Sequence, residues 1–149
     1  MDLNLTPELS LNKQSKSFLL ETAKWSKFLA IMGFIMIGFL VFFGLFFGTI
    51  MTAFSQINPA ASGLENAPMG FLGLIYVGMA LLYFFPIWYL YKFATKMKMA
   101  LKTDDEAELT EAFSNLKSHY KFVGIFTIII LALYLLMFLF SGLMFASFL

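Results

Sequence analysis

The stretch FVGIFTIIILALYLLMFLFSGLMFASFL, residues 122–149, contains no charged side chain and is apolar almost throughout. At about 1.5 Å of rise per residue, a helix of this length exceeds the roughly 30 Å hydrocarbon core of a bilayer. Residues 28–64 and 66–91 also lack charge. Because runs of about 18 or more apolar residues indicate membrane-spanning helices, the sequence predicts an all-α membrane protein. We place its three transmembrane helices at residues 28–54, 71–91 and 122–149.

The composition of the 149-residue chain agrees with this prediction and narrows the chemistry. Hydrophobic residues make up 60% of the chain and charged residues only 13%, which is not the balance of a soluble domain. The absence of cysteine excludes disulfides and thiolate sites. All ten basic residues are lysine, so bidentate recognition of phosphate by arginine is excluded. The net charge of +1 argues neither for nor against nucleic acid, and no nucleic-acid partner is predicted.

The distribution of lysine predicts how the chain is oriented in the membrane. Four lysines precede the first span and six lie between the second and third, whereas the loop at residues 55–70 has none. Because positive residues close to span ends stay in the cytoplasm, we predict a cytoplasmic N-terminus and a C-terminus outside. The 27 residues before the first apolar run favour a retained signal anchor over a cleaved signal peptide.

Residues 6–27 have the pattern of an amphipathic helix that lies in the membrane interface before the first span. Thr6 and Pro7 suit the cap and the first position of a helix. At about 100° per residue, apolar side chains and lysines fall on opposite faces. A solvated leader whose lysines only set topology remains the alternative. The residues predicted to contact the membrane surface are Lys13, Lys16, Lys24, Lys27 and Trp25.

The charge that the spans lack is concentrated at residues 92–121, which hold five of the nine acidic residues and six of the ten lysines. Thr103 and Glu106 have the spacing of a capping box, which indicates a helix start at this point. Acidic residues are favoured in a first helical turn and basic residues in a last one. We therefore predict a cytosolic helical hairpin that extends spans two and three and reverses near Thr103.

Each arm of this hairpin carries an apolar stripe at helical spacing, and we predict that the two stripes pack together. They consist of Phe93, Met97 and Leu101 on one arm, and of Leu109, Phe113, Leu116 and Tyr120 on the other. The same pairing brings Lys96 near Glu111 and Lys98 near Glu108. The remaining face is acidic, and it is either a solvated helix start or a docking surface for a basic partner. Its candidate partner residues are Asp104, Asp105, Glu108 and Glu111.

Patterns that could carry chemistry are scarce. His119 is the single histidine, and with no cysteine it can build neither a zinc site nor a Ser-His-Asp triad. We therefore expect no enzyme, no metal and no cofactor. Pro86 predicts a kink in span two. Small residues four apart predict close helix packing, within the chain or with another subunit. These candidate packing residues are Gly44, Gly48, Gly142 and Ala146.

Three segments resemble a family of small bacterial integral membrane proteins catalogued as a domain of unknown function. They are TAKWSKFLAIMGFIMIG at 22–38, FFPIWYLYKFATKMKMAL at 84–101 and AFSNLKSHYKFVGI at 112–125. The resemblance extends over residues 20–140. It implies the bacterial inner membrane and supplies neither an activity nor site residues.

Two functions remain open from the sequence. We expect a non-enzymatic accessory or scaffold subunit of a membrane complex, which contacts the lipid bilayer and either a membrane-protein partner or copies of itself. The alternative is a small transporter or pore, which would need an oligomer because three spans are few to enclose a pathway. The absence of charge inside the spans weighs against the alternative, since ion and proton pathways usually contain ionisable residues.

Overall fold

The computed structural model describes residues 11–58 and 69–146, and these residues form three α-helices. They are α1 (Lys13–Ile57), α2 (Met69–Thr103) and α3 (Glu106–Ala146). Each helix is long and apolar enough to cross a membrane. The predicted all-α class, with three helices that are long and apolar enough to span a membrane, is confirmed. Helix α2 lies between the other two and packs against both.

The amphipathic N-terminal segment and the first span form one helix, not two. Helix α1 runs for 45 residues, so the predicted interfacial helix is not present as a separate element. The helix begins after Asn12, whose side-chain oxygen accepts a hydrogen bond from the Ser15 N–H at 2.7 Å. The predicted cap at Thr6 and Pro7 lies outside the described residues, as do most of the loop and the last three residues of the third span.

Helix α1 continues toward its N-terminus because that part of the helix packs on α2. Ala23, Ser26 and Ala30 are buried, and they follow one another at helical spacing on one face. Small side chains at these positions let the two helix backbones approach closely. A helix turned away into the interface would expose this face, so packing explains the difference from the prediction.

The chain reverses between α2 and α3 within two residues, at Asp104 and Asp105. Asp104 has a φ of 51°, the left-handed conformation that aspartate tolerates better than most residues. The Asp105 N–H then donates to the Ala100 carbonyl at 3.2 Å, as in a Schellman ending of a helix. Asp105 also caps α3, since its side chain accepts from the Ala107 N–H at 2.8 Å. The predicted capping box is wrong: Thr103 lies in α2 and bonds the Met99 carbonyl.

One core joins the three helices beside this reversal. Phe93 and Met97 of α2 are its largest buried side chains, with Ala23 of α1 and Ala112 of α3 against them. Around this core lie partly buried leucines from each helix: Leu19, Leu90, Leu101, Leu109 and Leu116.

The predicted inward face of α3 is partly wrong. Phe113 is 45% exposed and Tyr120 is 66% exposed, whereas Ala112 is fully buried. Leu109 and Leu116 of the predicted stripe do pack on the core. The residues of α3 that contact α2 or this core recur at steps of three and four: Glu108 and Leu109, Ala112, Leu116, His119, Phe122 and Phe126. That spacing is typical of closely packed helices whose axes are nearly aligned. The small alanine brings α3 near Phe93, and the bulky side chains of Phe113 and Tyr120 therefore point outward.

Candidate functional site

Polar chemistry in this protein is confined to one end of the helices, which we call the charged head. It comprises residues 13–27 of α1 and residues 92–121, which include the end of α2, the reversal and the start of α3. These segments contain all ten lysines and six of the nine acidic residues of the chain. Any site that depends on charge among the described residues therefore lies here.

A lysine and two glutamates join α2 to α3 in the charged head. The Lys96 ammonium lies 3.0 Å from Glu108 Oε2 and 2.8 Å from Glu111 Oε2. The hydrogen bond to Glu111, and next that to Glu108, raises the pKa of Lys96 above its ordinary 10.5. Glu108 is only 22% exposed at its side chain, so it is not part of a solvated face as predicted. The predicted approach of Lys96 to Glu111 is observed, but Lys98 has no ion pair among the described residues.

The four acidic residues predicted as a partner surface all have contacts inside the chain. Asp104 forms an ion pair with Lys16 of α1, which ties the first helix to the reversal. Asp105 accepts from the first backbone N–H groups of α3. Glu108 and Glu111 share Lys96. The acidic run therefore stabilises the hairpin, and its role in docking a partner stays a prediction.

Aromatic rings and lysines form a collar where the charged head meets the apolar part of the helices. The Lys27 ammonium lies 5.7 Å from the Tyr91 ring centre, and the Lys92 ammonium lies 5.6 Å from that of Trp88. Trp25 is 61% exposed and contacts Phe28 edge to face. Tryptophan and tyrosine of this kind lie at membrane–water interfaces. The collar contains two of the five residues predicted to contact the membrane surface, Lys27 and Trp25.

His119 has a structural contact that the sequence did not indicate. Its Nδ1 atom lies 2.8 Å from the Pro86 carbonyl oxygen of α2. Because a carbonyl can only accept, Nδ1 carries a proton and donates. Helix α2 continues through Pro86, which has no N–H to contribute to the helix. Among the described residues, no group of three or more His, Asp or Glu side chains could hold a metal ion.

One of the predicted small residues, Gly44, lies at a close contact between helices, and its partner Gly73 was not predicted. A Cβ added to Gly44 would come within 2.9 Å of Val77 Cγ2 and 3.0 Å of the Gly73 carbonyl oxygen. A Cβ on Gly73 would in turn collide with the Gly44 carbonyl oxygen. Gly48 is half-buried one turn further along α1. Gly142 and Ala146 lie in the last turns of α3, outside the residues whose packing is described.

The signal for Gly73 was a glycine in the apolar run of α2, but nothing in the sequence paired it with Gly44. Ala23 and Ala112 were missed because large apolar residues dominated the predicted stripes. A search for small residues at helical spacing would have found Ala23, which recurs with Ser26 and Ala30, whereas Ala112 has no such companion in the sequence.

By its fold, the chain is an all-helical protein, and the length and apolar composition of its three helices suggest a multi-pass membrane protein. It belongs to a family of unknown function, DUF5362, whose model matches residues 68–142. The match covers α2, the reversal and α3 as far as Gly142, and therefore most of the charged head. Helix α1 lies outside it, so the resemblance covers less of the chain than the sequence suggested.

No curated protein and no solved structure matches the chain. Its function is therefore argued from the geometry of the helices.

Proposed function

We propose that this protein is a non-enzymatic integral membrane protein that serves as an accessory or scaffold subunit of a membrane complex. It would join its partner through the distal section of α3, residues 127–141. The charged head would lie in the cytoplasm and the C-terminus outside, in a bacterial inner membrane, as the position of every lysine at the head favours.

The observation that carries the proposal is the exposure of this distal section. Every residue from Thr127 to Ser141 is exposed, and none of the residues in the most apolar stretch of α3 is buried. The ring contact of Tyr83 with Phe126, at 6.0 Å, is the furthest along α3 among the described residues. By contrast, α1 and α2 remain in close contact at Gly44 and Gly73.

Lipid alone would be a poor match for one side of the distal section. Its three polar side chains, Thr127, Tyr134 and Ser141, recur every seven residues and so lie on one face of the helix. Thr127 and Ser141 donate to carbonyls of their own helix, at 2.9 Å and 3.2 Å. Each hydroxyl oxygen can still accept. Polar side chains inside a membrane usually face another helix, which they hydrogen-bond.

Site-specific photocrosslinking in native membranes tests the proposal. A benzophenone amino acid at Tyr134 should yield one adduct with a membrane protein of defined mass. The matched control position is Leu136, which is 51% exposed and lies about 200° around the helix. It should react with lipid only. Equal reaction at both positions, or lipid adducts alone at Tyr134, would contradict the proposal.

The same experiment addresses the alternative of an oligomeric transporter or pore. The hydroxyl face favours it, because copies of this chain could pair through the same polar stripe. In that case Tyr134 would give adducts at multiples of 16.9 kDa and no foreign partner. An adduct with a different protein would favour the scaffold.

A further inference from the structure

Five of the ten lysines line a single groove between α1 and α2 in the charged head. They are Lys13, Lys16 and Lys24 from α1, and Lys98 and Lys102 from α2. We call it the basic groove. Its volume is about 480 Å³, which lies within the range of small-ligand sites. Leu20 and Leu101 provide its apolar lining.

The positive charge of the basic groove is mostly unneutralised. Lys16 pairs with Asp104, but the other four lysines have no ion pair among the described residues. Ammonium groups are donors only, and like charges at short range repel. Lys96, on the α3 side of α2, shows the opposite arrangement, since it has two carboxylates to itself. The groove is therefore arranged to accept an anion.

An apolar depression adjoins the basic groove and leads toward the membrane. It has a volume of about 640 Å³ and shares Leu20 and Lys24 with the groove. From there it extends along α1 to Trp25 and Phe28. Phe28 is the first residue of the uncharged run, and Glu21 is the one acid in this lining. Charge at one end and apolar surface at the other match the two ends of a lipid molecule.

We propose that the basic groove and the adjoining depression together bind an anionic phospholipid. The lysines would contact its phosphate, and an acyl chain would lie along Leu20, Trp25 and Phe28. Clusters of lysine at the membrane edge and basic pockets between helices attract acidic lipids. A free phosphate would use the basic groove but would have no use for the apolar depression. The site requires only that the helices span a bilayer, so it is independent of any scaffold role.

Fluorescence of Trp25 provides the test, because its exposed ring lines the depression. The full chain with Trp88→Phe, which leaves Trp25 as the one tryptophan, is reconstituted in phosphatidylcholine vesicles. Phosphatidylglycerol or phosphatidylcholine with brominated chains is then titrated in as a quencher. We expect that brominated phosphatidylglycerol quenches half of the Trp25 fluorescence at a mole fraction several-fold lower than brominated phosphatidylcholine does. Equal quenching by the two lipids would overturn the proposal.

Paired lysine variants separate a site from general surface attraction. The double variant Lys98→Gln with Lys102→Gln should lower the preference for the anionic lipid by about fivefold or more, given the attraction expected per lysine near a membrane. The control double variant, Lys117→Gln with Lys121→Gln, removes the same amount of charge from α3 and should retain the preference for the anionic lipid. If both pairs lose the preference equally, attraction by the whole surface explains it and the site is wrong. Helix content and the unfolding midpoint of each variant establish that the fold is intact.

Inorganic phosphate distinguishes the source of the anion. At matched ionic strength, phosphate should displace the brominated lipid no better than chloride. If phosphate instead restores Trp25 fluorescence fully at millimolar concentration, the groove takes a free anion and the lipid proposal fails.

Discussion

Helix α3 differs sharply between its two ends. In the charged head it faces a shared core, with Ala112 fully buried against Phe93 and Met97. Lys96 of α2 forms ion pairs with Glu108 and Glu111 of α3. At the reversal, Asp104 forms an ion pair with Lys16 of α1. Beyond Phe126, α3 has none of these contacts among the described residues, and every side chain to Ser141 is exposed.

The proposed placement in a membrane accounts for this difference, because it surrounds the charged head with water and the distal section with lipid. Where water surrounds the helices, burying apolar area stabilises their association, at about 25 cal/mol per Å². Lipid is as apolar as a leucine side chain, so that force vanishes within the bilayer. Helices there associate through close backbone contact or polar groups, and α3 has Gly124 with nothing near its missing Cβ. The charged head and the residues up to Phe126 therefore hold α3 to α2, and the distal section of α3 remains available for other molecules.

The largest loss of stability is expected when a charge is placed in the core of the charged head. Met97→Asp should unfold the head, because Met97 has 0% exposure. Loss of a buried methionine costs about 2–5 kcal/mol, and an unpaired buried charge adds to that. Unfolding in mixed micelles, followed by circular dichroism, measures the effect.

The matched control for this change is Phe113→Asp, which places the same charge on an exposed ring position of α3. We expect a small effect, since Phe113 is 45% exposed. A Phe113 variant as unstable as the Met97 variant would mean that the inward face of α3 is the one predicted from the sequence.

Removing one phenyl ring from each end compares the two surroundings directly. Phe93→Ala should lower the free energy of unfolding by about 3–5 kcal/mol, because the ring is buried in the core of the head. Phe138→Ala should lower it by less than about 1 kcal/mol, since the ring is 74% exposed and leaves no cavity. Chemical unfolding of both variants in the same micelles gives the comparison. Equal losses would show that the distal section is packed within the chain.

Replacing a glycine by valine tests whether α1 and α2 pack more closely than α3 does inside the apolar region. Gly44→Val should destabilise by about 1–3 kcal/mol, because its side chain would meet Val77 and the backbone of Gly73. Gly124→Val should have little effect, since nothing lies within 4 Å of the added Cβ. Proximity labelling between cysteines placed on α1 and α2 would report loss of the crossing. Similar behaviour of the two variants would contradict the close contact at Gly44.

The sequence predicted the coarse fold because uncharged runs can be recognised without knowing any contact. Residues 28–54 lie in α1, and the predicted reversal near Thr103 is where α2 ends. The face of α3 was harder, because Ala112 and Phe113 are adjacent and point only about 100° apart. Choosing by size favoured phenylalanine, whereas close packing favoured alanine. Contacts between distant segments, such as Lys16 with Asp104, depend on the arrangement of the helices and have no signature in the sequence.

The smallest expected effect concerns the ion pairs of Lys96. Its raised pKa means that the folded state holds the proton more tightly than the unfolded state, where the ordinary value is 10.5. The stabilisation is therefore fully present below that value and is lost as the pH rises through the higher pKa of the folded protein. Lys96→Met should weaken the charged head slightly at neutral pH, and the difference from wild type should shrink as the pH rises above 10.5 and through the raised pKa of Lys96. Lys117→Met, at a lysine with no ion pair among the described residues, should show no such convergence in the unfolding midpoint. A Lys96 deficit that stayed constant as the pH rose well above 10.5 would show that the side chain acts by packing rather than by charge.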